Sequence, residues 1–455
     1  MKVRSHCPPA PGALPLLGHS FALMRDPLRF LETASKQGPL VRVQLGPLGF
    51  HLANDPELVQ RIQVDGDNFE RGRSFDRLQS ILGVGAIAAD GPPHRQRRAG
   101  IQSAFGLPAM GGYVPSIIEE AEHLTRDWRS GDTIDLGESL DAFASRTILR
   151  CMYGPNLAAE REDVNNLSDL SALIAKALPI RTLTPAFFTR LPIAGNRRFK
   201  EQHARFLAMS QKLISMRGED DAPPDDILSR LLTSPDPYTG QPMTEAQVHA
   251  EILGFLVAGI EASGTTLAWA FQELVHHPDA ADRVSAEAQI LLEGTPDHSQ
   301  VKQLTFTQRV LREVMRLHSV LLFTRTTRRE VTLAGVRLAP GTELGYSLYY
   351  LHRDPALYPD PLRFDPDRPG GDSGSRKIPY MVFGTGAHQC LGAQLAMTIM
   401  TLTLAKVLSQ WTFRAAPGAS SQEVFAIIPR PGSLTMVVER RVRTGTPTAP
   451  REATA

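Results

Sequence analysis

The chain has 455 residues, of which 42% are hydrophobic and 21% charged, and a formal net charge of +1. That balance is ordinary for a soluble globular protein, and nothing global in it favours nucleic acid or an anionic membrane as partner. Three cysteines, Cys7, Cys151 and Cys390, stand far apart with no Cys-x-x-Cys pair, which argues against a disulfide framework, structural zinc or an iron–sulfur cluster and fits a reducing compartment.

In chain order, a proline cluster (Pro8, Pro9, Pro11, Pro15) opens the sequence without a long apolar run. Val41–Leu45 and Gly49–Leu52 carry strand signals, followed by a helix around Pro56–Asp65. In Asp90-Gly91-Pro92-Pro93-His94-Arg95-Gln96-Arg97-Arg98 a turn leads into a helix, where i, i+4 spacing puts His94 and Arg98 on one face and points Arg95 and Arg97 away from it. Glu251–Val275 reads as a helix with apolar Ile252, Leu253, Leu256, Val257 and Ile260. Its strongly apolar stretch, Ile252–Ile260, is too short to span a bilayer and is bracketed by Glu251 and Glu261, so no membrane anchor is expected.

Glu313 and Arg316 lie three apart on a predicted helix, Val310–His318, and can pair on one face. Taken alone, such a pair is usually a solvated one. Val331–Leu333, Val336–Leu338 and Thr342–Leu344 alternate around turns at Ala334-Gly335 and Pro340-Gly341. A last hairpin is expected between Val424–Ile428 and Leu434–Val438. Residues 443–455 are rich in Thr, Pro, Ala and Arg and are expected to form a disordered tail. No repeat and no Ser/Gly-rich linker divides the chain. The expectation is one domain, residues 1–442, mainly α with a small β-rich lobe. That lobe would come from about 1–75, 320–350 and 424–438, and the helical lobe from 76–319 and 350–415.

The most informative segment is Phe383-Gly384-Thr385-Gly386-Ala387-His388-Gln389-Cys390-Leu391-Gly392. It sets one cysteine in a glycine-rich loop ahead of a helix-forming run, Ala393–Met397. A helix N-terminus favours the thiolate through its free N–H groups and dipole. Gly384, Gly386 and Gly392 permit positive φ and close approach to a flat partner. The pattern Phe-Gly-x-Gly-x-His-x-Cys-x-Gly resembles the haem-binding loop of the cytochrome P450 monooxygenases, in which the cysteine thiolate is the proximal iron ligand.

The resemblance covers residues 8–440 and implies that family's fold: a triangular helical prism with haem b between a long distal helix and the cysteine loop. It makes Cys390 the metal ligand and sets Phe383, Gly384 and Gly392 beside the cofactor. His94, Arg98, Arg325 and His388 would hold the propionates, since buried carboxylates need such donors. Phe364-Asp365-Pro366-Asp367-Arg368 resembles the segment whose arginine joins the Glu-x-x-Arg pair, giving Glu313, Arg316 and Arg368 a structural role. Arg95 and Arg97 become candidates for a docking patch toward an acidic ferredoxin, with an ordinary solvated face as the alternative.

On the distal helix, Ala258-Gly259-Ile260-Glu261-Ala262-Ser263 stands where the family pattern is Ala/Gly-Gly-x-acid-Thr-Thr/Ser. Gly259 is expected to open space for dioxygen and water, and Glu261 to relay protons. Ala262 departs from the pattern, replacing the threonine that guides protonation during oxygen activation. Ser263 or ordered water, or a hydroxyl of the substrate, would substitute; otherwise the reaction does not need efficient O–O heterolysis.

The implied activity is insertion of one oxygen atom from O2 into a C–H or C=C bond of a lipophilic small molecule, with electrons from a ferredoxin and its reductase. The alternatives are a haem-thiolate enzyme that uses peroxide or catalyses a rearrangement, and a haem protein that binds a ligand without turnover. Pocket candidates are Leu78, Ile81, Leu82, Val84 and Ile87 in the loop before His94, then Leu178, Pro179, Ile180, Phe187 and Phe188. Leu256, Ile260, Leu321, Leu322, Phe323, Phe425 and Ile427 complete them. Their apolar character suggests a terpenoid, polyketide or fatty acyl substrate, and Phe69–Arg77 resembles bacterial terpenoid-tailoring members. A cytoplasmic monomer that binds no nucleic acid is expected.

Overall fold

The computed structural model describes residues 7–154, 191–218, 225–292, 297–369, 380–418 and 422–441, apart from positions 47, 73, 425 and 427. The pocket candidates Leu178, Pro179, Ile180, Phe187, Phe188, Phe425 and Ile427 and the tail lie outside them.

Early and late segments of the chain meet in one five-stranded sheet. Strands β1 (Leu40–Leu45) and β2 (Leu48–Ala53) pair antiparallel, β3 covers Phe69–Arg71, and β5 (Phe323–Thr327) and β8 (Glu343–Tyr346) return from the far end of the sequence. Their order is β1-β2-β8-β5-β3. Leu40, Val41, Val43, Leu52, Phe69, Leu344 and Tyr346 bury one core of their own with Phe30, Leu31 and Ile62. Between β5 and β8, the hairpin β6 (Val331–Leu333) and β7 (Val336–Leu338) turns at Ala334 and Gly335, both at positive φ as a two-residue hairpin turn requires.

The second core is helical. Its central helix, Glu245–His276, begins about two turns before the expected Glu251, because Thr244 and Gln247 form a capping box. By length and composition it could cross a membrane, but 67% of its most apolar window is buried inside the protein. It packs most extensively on helix Leu136–Tyr153, and also on Ala393–Leu408 and Thr305–Leu317. A Cβ at Gly259 would stand 2.8 Å from Ile148 Cδ1, and one at Gly264 would stand 2.9 Å from Asp141 Oδ1. These glycines let two helices approach, as in other close helix crossings.

Two expectations change. Leu78, Ile81 and Leu82 are not loop residues; they lie on helix Ser74–Leu82, with Leu78 and Leu82 in the core. The hairpin of Val424–Ile428 with Leu434–Val438 does not form. Instead, among the described residues Glu423–Val424 (β10) pairs with Arg430–Pro431 (β11), where Pro429 and Pro431 limit the ladder. Strand β12 (Thr435–Arg440) pairs on both sides elsewhere, with β4 (Thr133–Asp135) and β9 (Trp411–Ala415). Leu434, Met436 and Val438 are thereby buried in the helical core.

Candidate functional site

The cysteine loop is held by its own backbone and by side chains from outside it. Cys390 N–H donates to the Phe383 carbonyl at 2.7 Å, and Gly384 N–H to that of Met381 at 2.8 Å. Gly384 and Gly386 adopt φ of +68° and +72°, and a Cβ at Gly386 would stand 2.7 Å from the Gln63 carbonyl oxygen. Gln63, buried at the end of helix Pro56–Val64, accepts with its side-chain oxygen from Thr385 N–H at 2.8 Å and Thr385 O–H at 2.9 Å. Gly392, at φ −81°, is the N-cap of helix Ala393–Leu408 rather than a positive-φ position. Cys390 is an exposed residue whose sulfur has protein packed around it, which crowds it. That crowding raises its thiol pKa, against the lowering effects of the Gly392 N–H and nearby Arg98. Arg98 also donates to the Gln389 carbonyl at 2.6 Å, tying helix Gly91–Ile101 to the loop.

Beside this loop the structure gathers Arg71, Arg325, His94 and His388, with Asp90 among them and Arg328 Nη2 3.6 Å from its Oδ1. Arg71 and Arg325 are directly opposed on β3 and β5. The His94 and His388 rings lie 4.2 Å apart between centroids, and His388 Nε2 is 3.2 Å from Asp90 Oδ1. Asp90 also caps Gly91 N–H and accepts from Arg71 N–H at 2.5 Å. Burial opposes its ionisation, yet these hydrogen bonds hold its carboxyl well below the usual range. Burial together with the charges of His388, Arg71 and Arg98 pushes His94 down to about 3. Burial and Arg325 push Arg71 down to about 10. Arg71 Nε and His388 Nδ1 are buried without a hydrogen-bond partner among the described residues. Two crowded arginines and two imidazoles, with unpaired buried nitrogens on Arg71 and His388, fit an anion with several oxygens, such as the two carboxylates of a haem.

Part of the otherwise buried central helix is accessible. Ala258 is exposed, and Val257, Gly259, Glu261, Ala262 and Thr266 are partly so. Ala258, Ala262 and Thr266 are four apart and form one stripe. A Cβ on Gly259 would point into Ile148, so its missing side chain makes room for a neighbouring helix. Ser263 stands about 100° round from Ala262 and is only 2% exposed, which places it off the stripe. The hydroxyl that does follow Ala262 on that face is Thr266, which donates to the Ala262 carbonyl at 2.8 Å. Burial raises the pKa of Glu261, with Arg430 lowering it and Asp141 raising it. Those two neighbours are themselves paired, Arg430 Nη2 lying 2.6 and 2.7 Å from the Asp141 oxygens.

The support beneath the loop matches its expected pattern of residues. Arg316 meets Glu313 through two 2.8 Å contacts, Arg368 Nε joins at 3.2 Å, and Arg316 Nη1 donates to the His352 carbonyl at 2.6 Å. His352 in turn touches Met381 N–H, at the root of the loop. The docking expectation divides: Arg95 is exposed, whereas Arg97, three residues after His94, lies partly buried with its charge acting on Glu251.

The family model for cytochrome P450 matches residues 8–436. The chain belongs to the cytochrome P450 family. It is 34% identical over 437 residues to cyclooctat-9-en-7-ol 5-monooxygenase of Streptomyces melanosporofaciens, covering 95% of both chains. It is 33% identical over 421 residues to pentalenene oxygenase of Streptomyces avermitilis, covering 91% of this chain and 93% of that one. The fold matches the crystal structure of the cytochrome P450DA haem domain with a TM-score of 0.86 at 22% identity, covering 97% and 99% of the two chains. As a P450, the protein is a monooxygenase that carries haem ligated by a cysteine thiolate.

Of this Arg/His set, Arg71 is the member that sequence reasoning missed. Exchanging it for glutamine should hasten haem loss to an apomyoglobin acceptor by about tenfold or more, the equivalent of one charge-assisted hydrogen bond (~1.5–3 kcal/mol). Unchanged haem loss would place Arg71 outside the carboxylate site.

Proposed function

We propose that this P450 oxygenates a terpenoid, with Cys390 as thiolate ligand and Arg71, His94, Arg98, Arg325 and His388 holding the haem carboxylates. The observation that carries the reading is the exposed Cys390 loop gathered with Arg71, His94, Arg98, Arg325 and His388, in a chain whose central helix leaves the Ala258–Thr266 stripe accessible. Two relatives named for oxygenation of cyclooctat-9-en-7-ol and pentalenene supply the substrate class.

Haem held there supplies oxygen activation, and thiolate donation favours O–O cleavage. The protein positions substrate and controls water and protons. Ala258 and Ala262 present small apolar surface, against which a hydrocarbon skeleton can lie. Glu261 is the carboxyl nearest that stripe in sequence; its burial holds a proton more tightly than solvent would, and the Arg430–Asp141 pair connects it toward the surface. With no hydroxyl at Ala262, the Thr266 hydroxyl, ordered water or a substrate hydroxyl completes proton delivery. Electrons come from a ferredoxin and its reductase.

The test is reconstitution with a ferredoxin, its reductase and reduced nicotinamide against a panel of cyclic terpenes and their alcohols. An oxygenated product formed in step with electron consumption is expected. Ala262→Thr should alter the ratio of product to electrons consumed by several-fold, because it adds a second hydroxyl to the stripe. Comparable turnover on hydrogen peroxide alone would move the protein to the peroxide-using alternative, and substrate binding without product would make it a ligand-binding haem protein.

A further inference from the structure

Glu251 takes no part in the site described above, yet it is a carboxylate only 1% exposed in the middle of the protein. Both of its oxygens lie 3.0 Å from the Ala86 N–H. The carbonyl of the same residue accepts from Arg71 Nη2 at 3.4 Å, so the Ala86 backbone is gripped from two directions. The loop around it lies flat on the central helix. A Cβ at Gly83 would stand 3.0 Å from Ala250 Cβ, and one at Gly85 would stand 2.9 Å from the Ala250 carbonyl oxygen. Ile87 Cδ1 comes within 3.2 Å of a Cβ placed on Gly254. Gly254 is one turn before Ala258, so this loop covers the helix where the accessible stripe begins.

We propose that Glu251 is a positioning residue whose carboxyl seats the loop Gly83–Ala89 on the central helix and so sets how tightly that loop covers the substrate-facing start of the accessible stripe. The assignment of that side rests on the function proposed above; the seating of the loop does not.

The charged groups around Glu251 are few. Arg97, on helix Gly91–Ile101, favours its ionised form, and Arg71 stands beyond the Ala86 carbonyl. From helix Ala194–Gly218, His203 bonds the Ile81 carbonyl, while His249 faces Ser210 and Glu245. Burial outweighs the Ala86 N–H and Arg97 and lifts the Glu251 carboxyl from 4.5 to about 7. A seated loop therefore retains a proton that a lifted, hydrated loop releases. The sign follows from linkage: seating is strongest at low pH, weakens as pH rises from 4.5 to about 7, and is constant above that.

The test is hydrogen–deuterium exchange of the holoprotein across pH, with each rate divided by the intrinsic rate at that pH. In the wild type, protection of peptides spanning Gly83–Ala89 should fall on the order of twentyfold between about pH 5.5 and 7.5 and then level off. Glu251→Gln keeps an acceptor for Ala86 N–H and cannot titrate, so its protection should not vary with pH. Glu251→Ala should leave the loop poorly protected throughout; should that variant fail to fold, the glutamine variant decides alone. Flat protection in the wild type, or an unchanged slope in Glu251→Gln, overturns the proposal. Because exchange is read without substrate, this result and the terpene screen can fail independently.

Discussion

Replacing Cys390 with serine is expected to remove the thiolate signature and reduce oxygenation to background while leaving the fold in place. The loop that carries the sulfur is built from backbone hydrogen bonds (Cys390 N–H to Phe383, Gly384 N–H to Met381) and from the Gln63–Thr385 clamp, none of which uses the sulfur. Serine therefore keeps the geometry and loses the ligand. The crowded thiol resists ionisation by itself, which the Gly392 N–H and Arg98 oppose, and metal coordination deprotonates a thiol outright. A serine hydroxyl has no comparable acidity at neutral pH. The readout is the difference spectrum of the dithionite-reduced protein with and without carbon monoxide. The wild type should give the strongly red-shifted Soret band and Cys390→Ser should not, with matching far-ultraviolet circular dichroism. Survival of that band in the serine variant would remove Cys390 from the proposed ligand position.

The second large effect is on stability. Glu313→Ala should destabilise the protein by about 3–5 kcal/mol, because it strands charges already removed from water. Glu313 accepts twice from Arg316 at 2.8 Å, once from Arg368 at 3.2 Å and once from Asp365 N–H at 3.1 Å. A suitable control is the Arg414–Glu439 pair, whose side chains are 61% and 53% exposed and whose loss should cost under about 1 kcal/mol. Urea unfolding of the holoprotein measures both. The Glu313 variant should also release haem faster, since Arg316 supports the His352 carbonyl and His352 reaches Met381. Equal midpoints for the two variants would show that the network does not bear on the fold.

The cysteine loop was legible because glycines, histidine and cysteine are all fixed within ten positions, each by a separate physical need. The hairpin Val331–Leu338 was legible because an alternating pattern meets a two-residue turn. What escaped was long-range. Nothing near Arg71 says that β3 will lie against β5 and oppose it to Arg325; that pairing joins residues more than 250 apart in sequence. Thr435–Arg440 reads as half of a local hairpin, and only the folded chain reveals that Thr133–Asp135 and Trp411–Ala415 are its partners. Gly259 and Ser263 were assigned by family position, whereas the helical period and Ile148 decide where they point. Arg97 was assigned outward with Arg95, although its i+3 relation to His94 turns it toward the interior.

The pairing of Thr133–Asp135 with Thr435–Val437 has a consequence for biosynthesis. On the ribosome the earlier strand emerges some 300 residues before its partner is made, an interval of about 15–60 s at ~5–20 residues per second. Throughout that time the nascent helical lobe lacks the strand segment that carries Leu434, Met436 and Val438, and for roughly the first two-thirds of it the five-stranded sheet also lacks β5 and β8. Apolar surface stays uncovered until Thr435–Arg440 has been made. The yield of native protein from a cell should therefore depend on chaperone supply and elongation rate as much as on the final stability of the fold.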